Sequence, residues 1–249
     1  MNQINWNTIR FRASSWGNLL TEPVTKADKE AGKLSVTCQK ELIKIYNREV
    51  YGRVKDITTK QMDKGIQGEP DSIKLLSLVE GELFFKNEEK LENEWFTGHP
   101  DLILNKEDGT LEVWDIKTSW EMDSFMPKLI EEPDKGYIAQ LNCYYSLLQA
   151  DGGAISYCLV SAPPQILEAE KRKLLFSMNV ATEFSPEYIK AAEELTKLMV
   201  FDDIAPEERV IVQRVPRNEE LIQKMKDKVP VFREWLKDFH KKHLELYPK

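Results

Sequence analysis

Apolar residues recur along the chain with two different periods, and the change of period divides it into three stretches. From Leu34 to Arg53, Leu42, Ile45, Tyr46 and Val50 keep the i, i+3, i+4 spacing of one helical face. Gly65 to Glu80 carries Ile73, Leu75 and Leu76 as apolar contacts of a further helix. Its Pro70 is tolerable only near a first turn, which puts Glu69 at or near the helix start. Ahead of both, Arg10 to Leu20 reads as a short extended segment entering a helix, with Ser14 or Ser15 as its N-cap.

The middle stretch is strand-like. Lys90 to Phe96, His99 to Leu104 and Leu111 to Lys117 predict three antiparallel strands, and Asn105 to Thr110 (NKEDGT) carries hairpin turn chemistry. After a loop containing Pro127 and Pro133, Tyr137 to Ala150 reads as a buried helix and Gly153 to Ser161 as a strand stopped by Pro163 and Pro164. Beyond these prolines the pattern predicts a strand at Leu174 to Asn179, a helix at Pro186 to Val200, a strand at Glu208 to Val215 and a long amphipathic helix from Asn218 to about Leu246. The core order is αβββαβ. The reading is one α/β (α+β) domain over 1–249, with its core at about 60–161, helices over 10–60, and strands and helices over 165–249.

Composition narrows the function classes. No stretch approaches the roughly 18 to 20 consecutive apolar residues of a membrane span, and Met1 to Leu20 lacks an apolar run behind a basic start, so a soluble protein that stays in the cytoplasm is expected. Cys38, Cys143 and Cys158 are an odd number without CxxC spacing, which argues against a disulfide framework and a four-cysteine metal site. A net charge of −7 argues at first against nucleic acid. Residues 1–65, however, hold 12 Lys and Arg against 7 Asp and Glu, so the first quarter of the chain is basic and the remainder acidic. His240 and His243 lie on the charged C-terminal helix without a third ligand and are read as solvent-facing; His99 is read as structural.

Strand alternation places Val113, Asp115 and Lys117 on one face and Trp114 and Ile116 on the other, so an acid and a base point the same way. Asp101 precedes Asp115 by 14 residues, and a hairpin across Asn105 to Thr110 brings the two carboxylates together. Side by side they repel, and a divalent cation supplies the counter-charge. Mg2+ and Mn2+ prefer oxygen ligands, and Asp101, Asp115 and the Ile116 carbonyl make such a set. Lys117 beside it can orient or deprotonate a water, or neutralise charge developing on a phosphate.

Pro100-Asp101 followed by Asp115-Ile116-Lys117 resembles the signature of the PD-(D/E)XK nuclease superfamily, whose restriction-endonuclease-like core has the αβββαβ order. Lys64-Gly65-Ile66-Gln67-Gly68-Glu69 is similar to the Gly-x-x-x-Glu motif of the branch that contains lambda-type phage exonucleases and YqaJ-type viral recombinases. Gln140 to Tyr144 is similar to the Gln-x-x-x-Tyr motif of RecB-like and phage members. The resemblance covers about 10–161. It implies Glu69, Asp101 and Asp115 as metal-site acids, Lys117 as the catalytic lysine, Gln140 as a contact to phosphate or to the lysine, and Tyr144 as its support. Ala13-Ser14 matches a pair that holds the 5'-phosphate of the cut strand. The family arginine before that pair is unmatched, since Asn7 stands near its place, and Arg10 or Arg12 would substitute.

The resemblance further implies a Mg2+-dependent 5'-3' exonuclease on linear double-stranded DNA, with Mn2+ able to substitute. A phage or prophage origin, a single-strand annealing protein as partner and a ring-shaped homotrimer belong to the same implication. Two other readings use the same residues: a structure-specific or restriction-like endonuclease, and a non-catalytic nucleic-acid-binding module.

Overall fold

The computed structural model describes residues 4–53, 60–180 and 182–247, and residues 60–64 and 66 through their backbone only. Lys64 and Ile66, which precede Glu69 in its motif, therefore have side chains outside the described residues.

The chain enters through β1 (Phe11–Arg12), a 3-10 turn at Ala13–Ser15, α1 (Trp16–Leu19) and α2 (Lys26–Glu30). Ser35 then caps α3 (Val36–Tyr51), its Oγ accepting the Cys38 N–H at 2.9 Å, and Gly52 ends the helix in the left-handed conformation. The next helix, α4 (Lys60–Glu80), begins earlier than Pro70 implies. Pro70 is exposed in its interior, where its ring forfeits a single backbone bond and the helix continues on both sides. Glu69 is thus a mid-helix residue, and the expectation of a helix-start carboxylate is corrected.

β2 (Leu91–Glu92) and β3 (Phe96–Gly98) are two short strands in place of the single run expected over Lys90–Phe96. Asn93 interrupts that run, because its Oδ1 accepts the N–H groups of Trp95 and Phe96 and folds the chain into a turn. β3 lies between β1, parallel, and β2, antiparallel. The hairpin of β4 (Leu102–Asn105) and β5 (Leu111–Ser119) starts a second sheet, so the three strands do not form one antiparallel set. Gly109, with φ +86°, supplies the turn as expected.

α5 (Met122–Phe125) leads to α6 (Lys135–Leu148), whose cap Asp134 accepts from Gly136 N and Tyr137 N. β6 (Gly152–Leu159) returns parallel to β5, and α7 (Pro164–Met178) follows. The expected strand at Leu174–Asn179 is the end of α7: Pro164 occupies its first turn and starts the helix, and Asn179 closes it at φ 51°. α8 (Pro186–Met199), β7 (Val210–Pro216) and α9 (Glu219–Leu246, capped by Asn218) complete the order.

The β4-β5-β6-β7 sheet has apolar material on both faces. Val113, Ile155, Tyr157 and Leu159 join α6, α9 and the N-terminal elements, while Trp114, Ile116, Ala154 and Cys158 join Leu75 and Leu76 of α4. His240 and His243 are half-buried, not solvent-facing, since they bond the hydroxyls of Tyr46 and Tyr51 at 2.9 and 2.8 Å and tie α9 to α3. The three cysteines are buried and free. No helix of the described residues is long and apolar enough to cross a membrane.

Candidate active site

Antiparallel pairing of Leu102 with Trp114 fixes the register at the open end of the β4-β5 hairpin, one step from Asp101 and Asp115. Continuing that register sets the two acids opposite each other. Asp101 Oδ2 accepts the Ile116 N–H at 2.9 Å. A strand residue's N–H and C=O point to the same side, so the Ile116 carbonyl also faces Asp101, where β4 has ended. Burial, then repulsion from Asp115, lifts the Asp101 carboxyl to about 7 against the pull of Lys117.

Asp115 is 1% exposed. Helix α6 covers it. Gln140 donates to Asp115 Oδ1 at 3.0 Å, and Lys117 Nζ lies 2.6 Å from Oδ2. Burial works to lower the Lys117 pKa, but Asp115 outweighs it and the net shift is upward. In the metal-free protein Lys117 is accordingly held as a cation, a state suited to neutralising charge. The Tyr137 ring, one turn before Gln140, lies 4.3 Å beneath its ammonium.

Gln140 therefore touches Asp115. Its Nε2 also donates to the Tyr144 hydroxyl at 3.2 Å, and that hydroxyl donates to the His99 carbonyl at 2.9 Å. A Cβ at Gly98 would sit 2.6 Å from Tyr144 Cε1, so the glycine is what lets the tyrosine stand on the segment that carries Asp101. The His99 side chain is exposed and lines the site, while its backbone takes the structural role.

Glu69 approaches from the other face of the sheet. Gly68 makes this possible: a Cβ there would lie 2.7 Å from Thr118 Cγ2, whereas Gly65, the glycine of the motif, has open space. Glu69 Oε2 pairs with Lys86 Nζ at 2.6 Å, and both line a cavity of about 400 Å3 together with Asn87, His99 and Asp101. Lys86 lies 17 residues after Glu69, beyond the end of α4, and no motif in the sequence marks it.

The turn at Ala13–Ser15 packs beside these residues, with Ala13 Cβ 3.1 Å from the Cβ position of Gly98. Ser15 is buried and donates to Glu41 at 2.9 Å, while Ser14 is exposed and makes no side-chain hydrogen bond among the described residues. Arg10 is taken up by Glu92 at 3.2 Å and the Asn93 carbonyl at 2.7 Å. Arg12 is exposed and has no ion pair among the described residues.

The family model of the PD-(D/E)XK nuclease superfamily matches residues 19–246. The chain belongs to this superfamily. Solved structures with the same fold include a phage-related exonuclease from Haemophilus somnus 129PT, at 24% identity, 95% of this chain, 97% of that one and a TM-score of 0.71. An alkaline exonuclease, LHK-Exo from Laribacter hongkongensis, matches at 13% identity, 97% and 98% coverage and a TM-score of 0.62. The same enzyme in complex with dAMP matches at 12% identity, 95% and 92% coverage and a TM-score of 0.63. No curated protein matches the chain.

PD-(D/E)XK membership makes the chain a DNA nuclease, and nucleases of this superfamily generally use divalent metal ions. The residues fit such an ion. Asp115 Oδ2 is buried with the Lys117 ammonium at 2.6 Å as its counter-charge, and Asp101 beside it is crowded by a second carboxylate. Among the described residues no three His, Cys, Asp or Glu side chains stand at metal-binding spacing, and two lysines explain this: Lys117 holds Asp115 and Lys86 holds Glu69. Two carboxylates and a carbonyl remain on the Asp101 side.

Proposed function

We propose that the protein is a Mg2+-dependent exonuclease that degrades linear double-stranded DNA from 5' ends, with Mn2+ able to replace Mg2+. The supporting observation is the juxtaposition of two features: the Asp101, Asp115 and Lys117 cluster, and the exposed Arg12 and Ser14 on a turn packed against Gly98. Bound at Asp101, Asp115 and the Ile116 carbonyl, with Glu69 reaching it directly or through water, the cation supplies positive charge at the scissile phosphate and an activated water. Gln140 and the Tyr144 hydroxyl hold Asp115 and the Asp101 segment in fixed relation. Lys117 faces the same point as a fixed cation and offsets charge that develops on the phosphoryl oxygens.

Arg12 and Ser14 form the anion pocket in this reading. A terminal phosphate carries more charge than an internal diester, so the pocket favours ends and sets the next linkage at the acids. The dAMP held by LHK-Exo is a deoxynucleoside monophosphate, the class of product that stepwise cleavage of DNA releases. The chain is taken as one domain over 1–249, acting in the host cytoplasm in phage-type recombination with a single-strand annealing protein. A ring-shaped trimer around the duplex would place the −7 net charge on its outer surface.

The experiment compares 5'-phosphoryl and 5'-hydroxyl linear duplexes, and covalently closed circles, in Mg2+ and in EDTA. Wild type should prefer the 5'-phosphate, and Arg12→Ala and Ser14→Ala should lose that preference while still cutting. Equal rates on both ends, or rapid cutting of closed circles, would move the assignment to an endonuclease.

A further inference from the structure

Lys86 is a cation lining the cavity that neither the motifs nor the scheme above uses. Its backbone is fixed: Phe84 packs its ring 5.0 Å from that of Trp114, Lys86 forms an antiparallel bridge to Leu102, and Asn87 N donates to the Asp101 carbonyl at 2.8 Å. The side chain, by contrast, is tied to the protein through Glu69. It is 52% exposed, opens onto the cavity that Asp101 and His99 line, and has Glu69 as its single ion-pair partner among the described residues.

We propose that Lys86 is an exchangeable counter-ion: it neutralises Glu69 until a divalent cation takes that carboxylate, and the freed ammonium then binds the DNA backbone at the mouth of the site. The inference rests on the metal-dependent reading above. Two physical points carry it. A half-exposed lysine pair is weak enough to be exchanged, since such pairs contribute little against solvent and side-chain entropy. A lysine released beside three carboxylates and a divalent ion then faces a centre that an incoming phosphodiester makes more negative, and its anchored backbone keeps it within reach.

The test uses the full-length chain and two titrations. Removing the competing charge in Lys86→Gln should tighten Mn2+ binding by about two- to fivefold in calorimetry, while Lys86→Arg stays near wild type. With Ca2+ in place of Mg2+, binding of a 5'-phosphoryl duplex to Lys86→Gln should weaken, and the slope of log affinity against log salt should fall by about one. Unchanged or weaker Mn2+ binding in Lys86→Gln overturns the exchange, and an unchanged salt slope overturns the DNA contact. Failure of wild type to bind Mn2+ at all would instead remove the metal reading beneath both, which Asp115→Asn checks independently.

Discussion

Gln140 and Asp115, 25 residues apart in sequence, meet at 3.0 Å through Nε2 and Oδ1, so helix α6 sets the orientation of an acid on strand β5. The same amide nitrogen reaches Tyr144, and Tyr144 reaches the His99 carbonyl, so one helix face aligns both sides of the hairpin mouth. Replacing Gln140 with alanine should leave the fold near wild type, at a cost of about 1–2 kcal/mol, but lower cleavage at least tenfold. Gln140→Glu places a like charge on Asp115 and should perturb the site further. Denaturant midpoints measured beside cleavage rates separate the two effects, and full activity in Gln140→Ala would exclude this alignment.

Lys117→Ala removes a positive charge from a cation site. Mn2+ affinity should hold or rise while cleavage falls by about 100-fold or more. The ion pair at 2.6 Å also balances the buried Asp115, so the variant should lose stability in EDTA and regain it on adding Mn2+. Loss of Mn2+ binding along with cleavage would make Lys117 a structural residue.

Asp101 gives the metal-free protein a pH dependence of definite sign. Its carboxyl sits at about 7, above the ordinary value of 3.8, so between these values the native state binds a proton that the unfolded chain does not. Stability in EDTA should therefore fall as pH rises through this window. Cleavage in Mg2+ needs the ionised carboxylate, which a bound cation itself stabilises, so its rise with pH should lie below the metal-free value. Urea midpoints at pH 5 and pH 8, for wild type and Asp101→Asn, provide the check; identical slopes in both proteins would remove Asp101 as the source.

Gly98→Ala should damage stability and site together. The new methyl would meet Tyr144 Cε1 at 2.6 Å and Ala13 Cβ at 3.1 Å, neither of them a flexible chain end. A cost of about 1–3 kcal/mol is expected from such overpacking, with a drop in cleavage beyond what the loss of folded protein explains. Wild-type thermal stability and rate in this variant would show that Tyr144 has room to shift.

Local rules made much of this protein legible in its sequence. Alternation along β5 put Asp115 and Lys117 on one face, the Asn105–Thr110 turn joined them to Asp101, and helical spacing delivered α9. These features depend on neighbours within a few residues, where the 2.0 and 3.6 periods apply. Tertiary structure decided the rest. Whether Asp115 is buried depends on α6 lying over β5, and the pairing of Arg10 depends on Glu92 and Asn93 of a distant turn. The Glu69–Lys86 pair depends on Gly68 letting α4 approach Thr118 while the β4 edge fixes the Lys86 backbone. Charge compensation is short-ranged in space and indifferent to sequence separation, so the partners of the acids were fixed only when the chain was folded.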